Sequence, residues 1–118
     1  LPIIAQDKEN KILEFAPFWV DSPLTNNRFN ISEPSTSTRV ALNELDIIFL
    51  PCLCFDSQGN RIGMGGGFYD KTLNQLSNNK KPKVILLAYD FQEVESCFPE
   101  SHDIKADACL MPNKFLKF

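Results

Sequence analysis

All five glycines of this 118-residue chain fall within nine consecutive positions, at 59, 63, 65, 66 and 67. Glycine adopts positive φ without steric penalty and lets another group come close to the backbone. A chain that gathers all its glycine in one stretch is building one special turn there. The stretch reads Phe55-Asp56-Ser57-Gln58-Gly59-Asn60-Arg61-Ile62-Gly63-Met64-Gly65-Gly66-Gly67-Phe68-Tyr69-Asp70. It follows the apolar run Ile47-Ile48-Phe49-Leu50 and precedes a second, Val84-Ile85-Leu86-Leu87-Ala88. Continuous runs of this kind suit strands of a parallel sheet that are buried on both faces. Between them Tyr69, Leu73 and Leu76 recur at i, i+4 and i+7, which predicts a helix over 67–76. Strand, glycine turn, helix and strand make a βαβ unit, so the expected class is α/β.

The flanking sequence adds smaller elements. Residues 1–4 read as a short strand and 12–15 as another, with the polar stretch 6–11 as the turn of a hairpin. Residues 21–39 are rich in Ser, Thr, Asn and Pro without periodicity, a surface excursion of the length that often serves function. A short helix over 91–98 and a last strand over 108–111 complete the reading. At this length there is room for a single domain, 1–118, with a candidate nucleotide-binding loop at 59–70.

Composition narrows the partners. A net charge of −3 argues against a surface that binds nucleic acid, though a local anion pocket remains open. No apolar run approaches the ~20 residues of a membrane helix, and no basic-then-apolar leader opens the chain. Cys52, Cys54, Cys97 and Cys109 lack the paired spacing of a zinc site, and His102 is the only histidine. They are expected to be free thiols in a reducing cytoplasm. The chain begins at Leu1 rather than Met, so further sequence is expected upstream.

Consecutive backbone N–H groups at a glycine-rich turn opening a helix form an anion site, and phosphate is its natural occupant. No Lys directly follows a glycine here, so this is not the nucleotide loop that ends in Gly-Lys-Ser/Thr. Position 68 is Phe, so it is not a dinucleotide fingerprint either. The competing reading is a flexible loop that binds nothing. Asp70, in the first helical turn, either complements the helix dipole, at about 0.3–1 kcal/mol, or holds Mg²⁺ against phosphates. Arg61 is either a surface charge or a phosphate neutraliser. His102 and Asp103 lie in a turn before a strand.

The stretch from Phe55 to Asp70 resembles the signature of the 5-formyltetrahydrofolate cyclo-ligase family: Phe-Asp, then Gly-x-Arg, then Leu/Ile-Gly-x-Gly-x-Gly-Tyr/Phe-Tyr-Asp. Leu1-Pro2, Ile31-Ser32-Glu33-Pro34, Leu45 to Pro51, Phe98-Pro99-Glu100, His102-Asp103-Ile104 and Met111-Pro112 are similar to other family landmarks, in order, across essentially the whole chain. The resemblance implies a Rossmann-like three-layer sandwich with a mostly parallel sheet, here without its N-terminal part. It implies ATP-dependent closure of 5-formyltetrahydrofolate to the 5,10-methenyl product by a cytoplasmic monomer. ATP would lie along Arg61, Ile62, Gly63, Met64, Gly65, Gly66, Gly67, Phe68 and Tyr69. The reduced folate would meet Met64, Phe68 and Tyr69, and Mg²⁺ would be held by Asp70 and Asp103. No protein nucleophile is implied. Met64 stands where members vary, and Phe68 replaces a frequent Tyr, keeping the ring but losing the hydroxyl. The family's upstream portion supplies a basic cluster toward ATP, so these 118 residues alone are expected to be inactive. The alternative is a non-catalytic nucleotide- or folate-binding fragment of the same fold.

Overall fold

A computed structural model describes residues 1–4, 9 and 11–118. Strands β1 (Pro2–Ile4) and β2 (Leu13–Phe15) pair antiparallel, Ile3 opposite Glu14, as the expected hairpin; most of its turn lies outside the described residues. The excursion at 21–39 is more ordered than its composition suggests. It folds into a second ribbon, β3 (Leu24–Asn26) with β4 (Ser32–Pro34), and Glu33 Oε1 accepts the Ile4 N–H at 2.8 Å, tying ribbon to ribbon.

The main sheet contains β5 (Ile47–Pro51), β8 (Lys83–Leu87), β9 (Ala108–Met111) and β10 (Lys114–Lys117), in the order β10-β9-β8-β5. Two of its pairings are parallel, Phe49 opposite Ile85 and Leu86 opposite Cys109, while β10 returns antiparallel along β9. Between β5 and β8 the chain forms a small hairpin, β6 (Cys54–Phe55) with β7 (Arg61–Ile62), and then helix α1 (Phe68–Leu73). The βαβ expectation therefore holds, with the glycine turn inside the crossover.

Alternation sorts the strand side chains. Ile48, Leu50, Val84, Leu86, Cys109 and Met111 point to one side and form a single core with Phe15, Phe55 and Leu73. Leu50, Phe55, Leu73 and Leu86 are fully buried, each contributing about 2–3 kcal/mol of transfer free energy. The opposite face carries Ile47, Phe49, Leu87, Leu110 and Phe115, each roughly half exposed.

This corrects the expectation that β5 and β8 are buried on both faces. Among the described residues there is one α-helix of six residues, on the core side, and nothing covers the second face. The described residues thus form a mixed, partly parallel sheet with few helices, and the second helical layer expected of a three-layer sandwich is not among them. Two helix expectations shrink for local reasons. α1 ends at Leu73 because the chain tightens there, with the Gln75 and Leu76 N–H groups turning back to Thr72 and Leu73. The segment 91–98 is helical only as a 3₁₀ turn at Asp90–Gln92, where Gln92 Oε1 folds back onto the Tyr89 N–H. No helix among the described residues is long and apolar enough to cross a membrane.

Candidate functional site

The β6–β7 hairpin, the glycine turn and α1 bring the signature residues together at one end of the crossover. The hairpin is fixed from inside. Asp56 is 2% exposed and its carboxylate accepts four N–H donors: the amides of Gln58, Asn60 and Cys97, and the Asn60 side chain. Burial alone would raise the Asp56 pKa, but these bonds, led by that of the Cys97 amide, outweigh it and hold it below the usual carboxylate range. The stabilisation is therefore present above the unfolded-state pKa and lost as pH falls through the lower folded value.

The glycines divide into two kinds. Gly59 has φ +83 and is packed, its O accepting the Ala106 N–H at 2.8 Å. Gly63 and Gly65, in contrast, have nothing within 4 Å of where a Cβ would stand. From Gly63 to Gly67, five successive backbone N–H groups meet no acceptor among the described residues. Gly67 supplies the left-handed residue, φ +68, that opens α1. With six residues, α1 has only a short ladder of aligned peptides. Anion binding at this turn would therefore rest on the loop amides more than on the helix dipole expected from 67–76. Gly63→Ala is expected to change the melting temperature by less than about 3 °C, since the methyl meets open space. If an anion occupies that space, the same change lowers affinity for ATP, measured by calorimetry.

Arg61 and Asp70 form a pair across the turn. Both terminal nitrogens of Arg61 lie 3.2 Å from Asp70 Oδ1, and the same oxygen accepts the Ile104 N–H at 2.8 Å. The Arg61 side chain is 6% exposed and that of Asp70 17%, so Arg61 is not the surface charge of the competing reading. Asp70 Oδ2 meets no donor among the described residues. Asp103 lies beside this pair in sequence, next to Ile104. Its Oδ2 accepts the Glu100 N–H at 2.8 Å, and its Oδ1 is 3.5 Å from His102 Nε2. The described residues contain no cluster of three His, Cys, Asp or Glu groups that could hold a metal alone.

Tyr69 is partly buried against the core, and burial raises its phenol above the ordinary value against the opposing charge of Arg61. Met64 is 88% exposed and Ile62 is also exposed. Phe68 contacts Phe29 edge-on at 6.3 Å, and the Arg28 guanidinium sits 5.0 Å from the Phe29 ring centre. The excursion thus delivers an aromatic and a cation to the glycine turn, which no local signal in 21–39 announces. A cleft of about 710 Å³ borders α1, lined by Asp70, Lys71, Asn74 and His102 among others. Burial pushes the Cys97 thiol up to about 12 and Cys109 to about 11, so neither is a thiolate nucleophile near neutral pH.

Residues 1–112 match the family model described as the 5-formyltetrahydrofolate cyclo-ligase family. The chain belongs to that family. It is 42% identical over 106 residues to the 5-formyltetrahydrofolate cyclo-ligase of Haemophilus influenzae, covering 88% of this chain and 56% of that protein. With the protein of the same name from Escherichia coli K12 it shares 37% identity over 116 residues, 97% of this chain and 63% of the relative. The solved structure of Aquifex aeolicus 5,10-methenyltetrahydrofolate synthetase superposes with a TM-score of 0.79 at 27% identity, covering 98% of this chain and 56% of that one. The chain thus spans a little over half the length of these relatives, and the family signature lies within the part it spans.

Proposed function

We propose that this chain provides the phosphate-handling part of an ATP-dependent ligase that closes 5-formyltetrahydrofolate to 5,10-methenyltetrahydrofolate. The observation that carries the reading is the row of five unpartnered amides, Gly63 to Gly67, beside the Arg61–Asp70 pair. Those amides would hold the triphosphate, and Arg61 would exchange Asp70 for a phosphate oxygen. In the reaction the formyl oxygen takes the γ-phosphoryl group of ATP and releases ADP. N10 then attacks the activated carbon and gives up its proton, and phosphate leaves with the formyl oxygen. Such a transfer requires alignment and charge neutralisation rather than a protein nucleophile, which agrees with the buried Cys97 and Cys109 thiols.

The donor set fits Mg²⁺. Asp70 offers an uncommitted Oδ2, and Asp103 is a second carboxylate, matching an ion that takes one or two carboxylates and completes its shell with phosphate and water. When bound, Mg²⁺ would neutralise phosphate charge. Phe68 and Tyr69, each half-buried, would meet the reduced folate through their rings, and Met64 is an exposed, adaptable contact.

The test is formation of methenyl absorbance from 5-formyltetrahydrofolate by the intact polypeptide that carries these residues, with and without ATP and Mg²⁺. Product without ATP, or ATP left unconsumed while product forms, counts against the scheme. A second reading, in which these 118 residues bind nucleotide without turnover, is favoured by the share of the relatives' length that they span. Magnesium-dependent heat of ATP binding without product would establish it.

A further inference from the structure

The segment from Cys97 to Ile104 carries His102 and Asp103 yet contains no helix or strand. Nothing in its own backbone explains why it should hold a fixed position against the glycine turn. Two carboxylates of the signature hold its ends. Asp56 Oδ2 accepts the Cys97 N–H at 3.0 Å, and Asp70 Oδ1 accepts the Ile104 N–H at 2.8 Å. Only the second also pairs with Arg61. The first is buried in the turn of the hairpin that carries Arg61. Immediately after Cys97, Phe98 sits at φ +47 with its ring 84% exposed. A bulky residue in the left-handed region is strained and persists only where its surroundings over-determine it. Here the residue is not buried, so the constraint comes from the backbone that leads into it: Cys97 held by Asp56, and the Phe98 N–H bonded to Ser96 Oγ at 3.2 Å.

We infer that Asp56 is a positioning residue for the reaction: its carboxylate fixes the bend at Cys97–Phe98 and thereby sets where Asp103 stands relative to Arg61 and the glycine turn. This rests on the functional reading above. Asp56 touches neither phosphate nor metal in this scheme. It acts through the Cys97 amide at one end and through the Asp56–Asn60 turn, which leads directly into Arg61, at the other. A single buried carboxylate thus couples both walls of the site, and an error in its geometry displaces them against each other.

The test compares the wild-type protein with Asp56→Asn and with Asn60→Ala. The first keeps the shape of the side chain but replaces one acceptor oxygen with a donor facing N–H groups. The second leaves the carboxylate and removes one of its four donors, so it folds even where the first does not. Amide exchange at Cys97 and Ile104 is expected to quicken by about tenfold or more in Asp56→Asn and by less in Asn60→Ala. In the same variants kcat is expected to fall by roughly 10- to 100-fold in the first and less in the second. KM for the folate should stay within about twofold, because the residues that face it do not change. Quickened exchange at Cys97 with Ile104 still protected and kcat unchanged would overturn the inference while leaving the proposed reaction intact. Equal losses in kcat and thermal stability, with the folate KM rising in step, would reduce Asp56 to a folding residue. An intact wild-type polypeptide, carrying these residues at the full length of the relatives, that forms no methenyl product removes the functional reading itself, and the exchange data then show only whether Asp56 orders the segment.

Discussion

Gly59→Ala is expected to lower the melting temperature by roughly 10–15 °C, the equivalent of about 3 kcal/mol in a domain of this size. Two costs add. The residue sits at φ +83, where a Cβ is strained whatever space surrounds it. That Cβ would also stand 2.6 Å from the Ala106 carbonyl oxygen and 3.0 Å from the Phe118 ring. The oxygen is backbone and cannot swing aside. The Ala106 N–H donates to Gly59 O at 2.8 Å, so moving the turn away breaks a bond that closes it against the approach to β9. Phe118, which packs at 6.1 Å from the fully buried Phe55, would be displaced with it. Thermal denaturation of Gly59→Ala beside Gly63→Ala makes the comparison within one protein. Similar melting temperatures for the two would mean that the hairpin relaxes freely and that the close approach carries no stability.

The two glycines also mark how far the sequence could be read. Clustering identifies where the backbone is special, because only glycine meets that need cheaply. It does not separate a glycine required by tight packing from one required by an approaching ligand. That distinction depends on Ala106 and Phe118, about fifty residues away. The parallel strands were legible because Ile47–Leu50 and Val84–Leu87 are unbroken apolar runs. Their one-sided burial was not, since periodicity describes a strand and not what lies above it. β10 escaped notice because Lys114-Phe115-Leu116-Lys117 offers neither a run nor alternation, and its pairing with β9 supplies the order instead. Helix α1 was read too long because Leu76 keeps the 3.6-residue spacing even though the chain has left the helix. At the site, Arg61 and Asp70 were legible through the signature, but their mutual pairing was not. The role of Asp56 was visible only as the second letter of Phe55-Asp56. Phe29 could not have been found from its surroundings in sequence at all.

That pairing changes what a substitution at Asp70 should do. Asp70→Ala is expected to reduce turnover by about 100-fold or more, by removing charge that aligns the phosphates, and to cost stability as well. Arg61 is 94% buried on its side chain, and Asp70 is its ion-pair partner among the described residues. Deleting the carboxylate strands a guanidinium out of water, at about 3 kcal/mol. A loss of stability would therefore not by itself return Asp70 to a helix-terminus role, and two further variants separate the effects. Asp70→Asn keeps an acceptor for the Ile104 N–H and most of the shape, so it should melt closer to wild type than alanine does. Arg61→Met combined with Asp70→Asn removes the stranded charge and should recover stability further. Neither restores the carboxylate, so turnover stays low in both. The decisive measurement is whether activity follows the carboxylate or the melting temperature across this series. Turnover that recovers together with stability in the double variant would show that Asp70 serves only to neutralise Arg61, with no part in handling phosphate or metal.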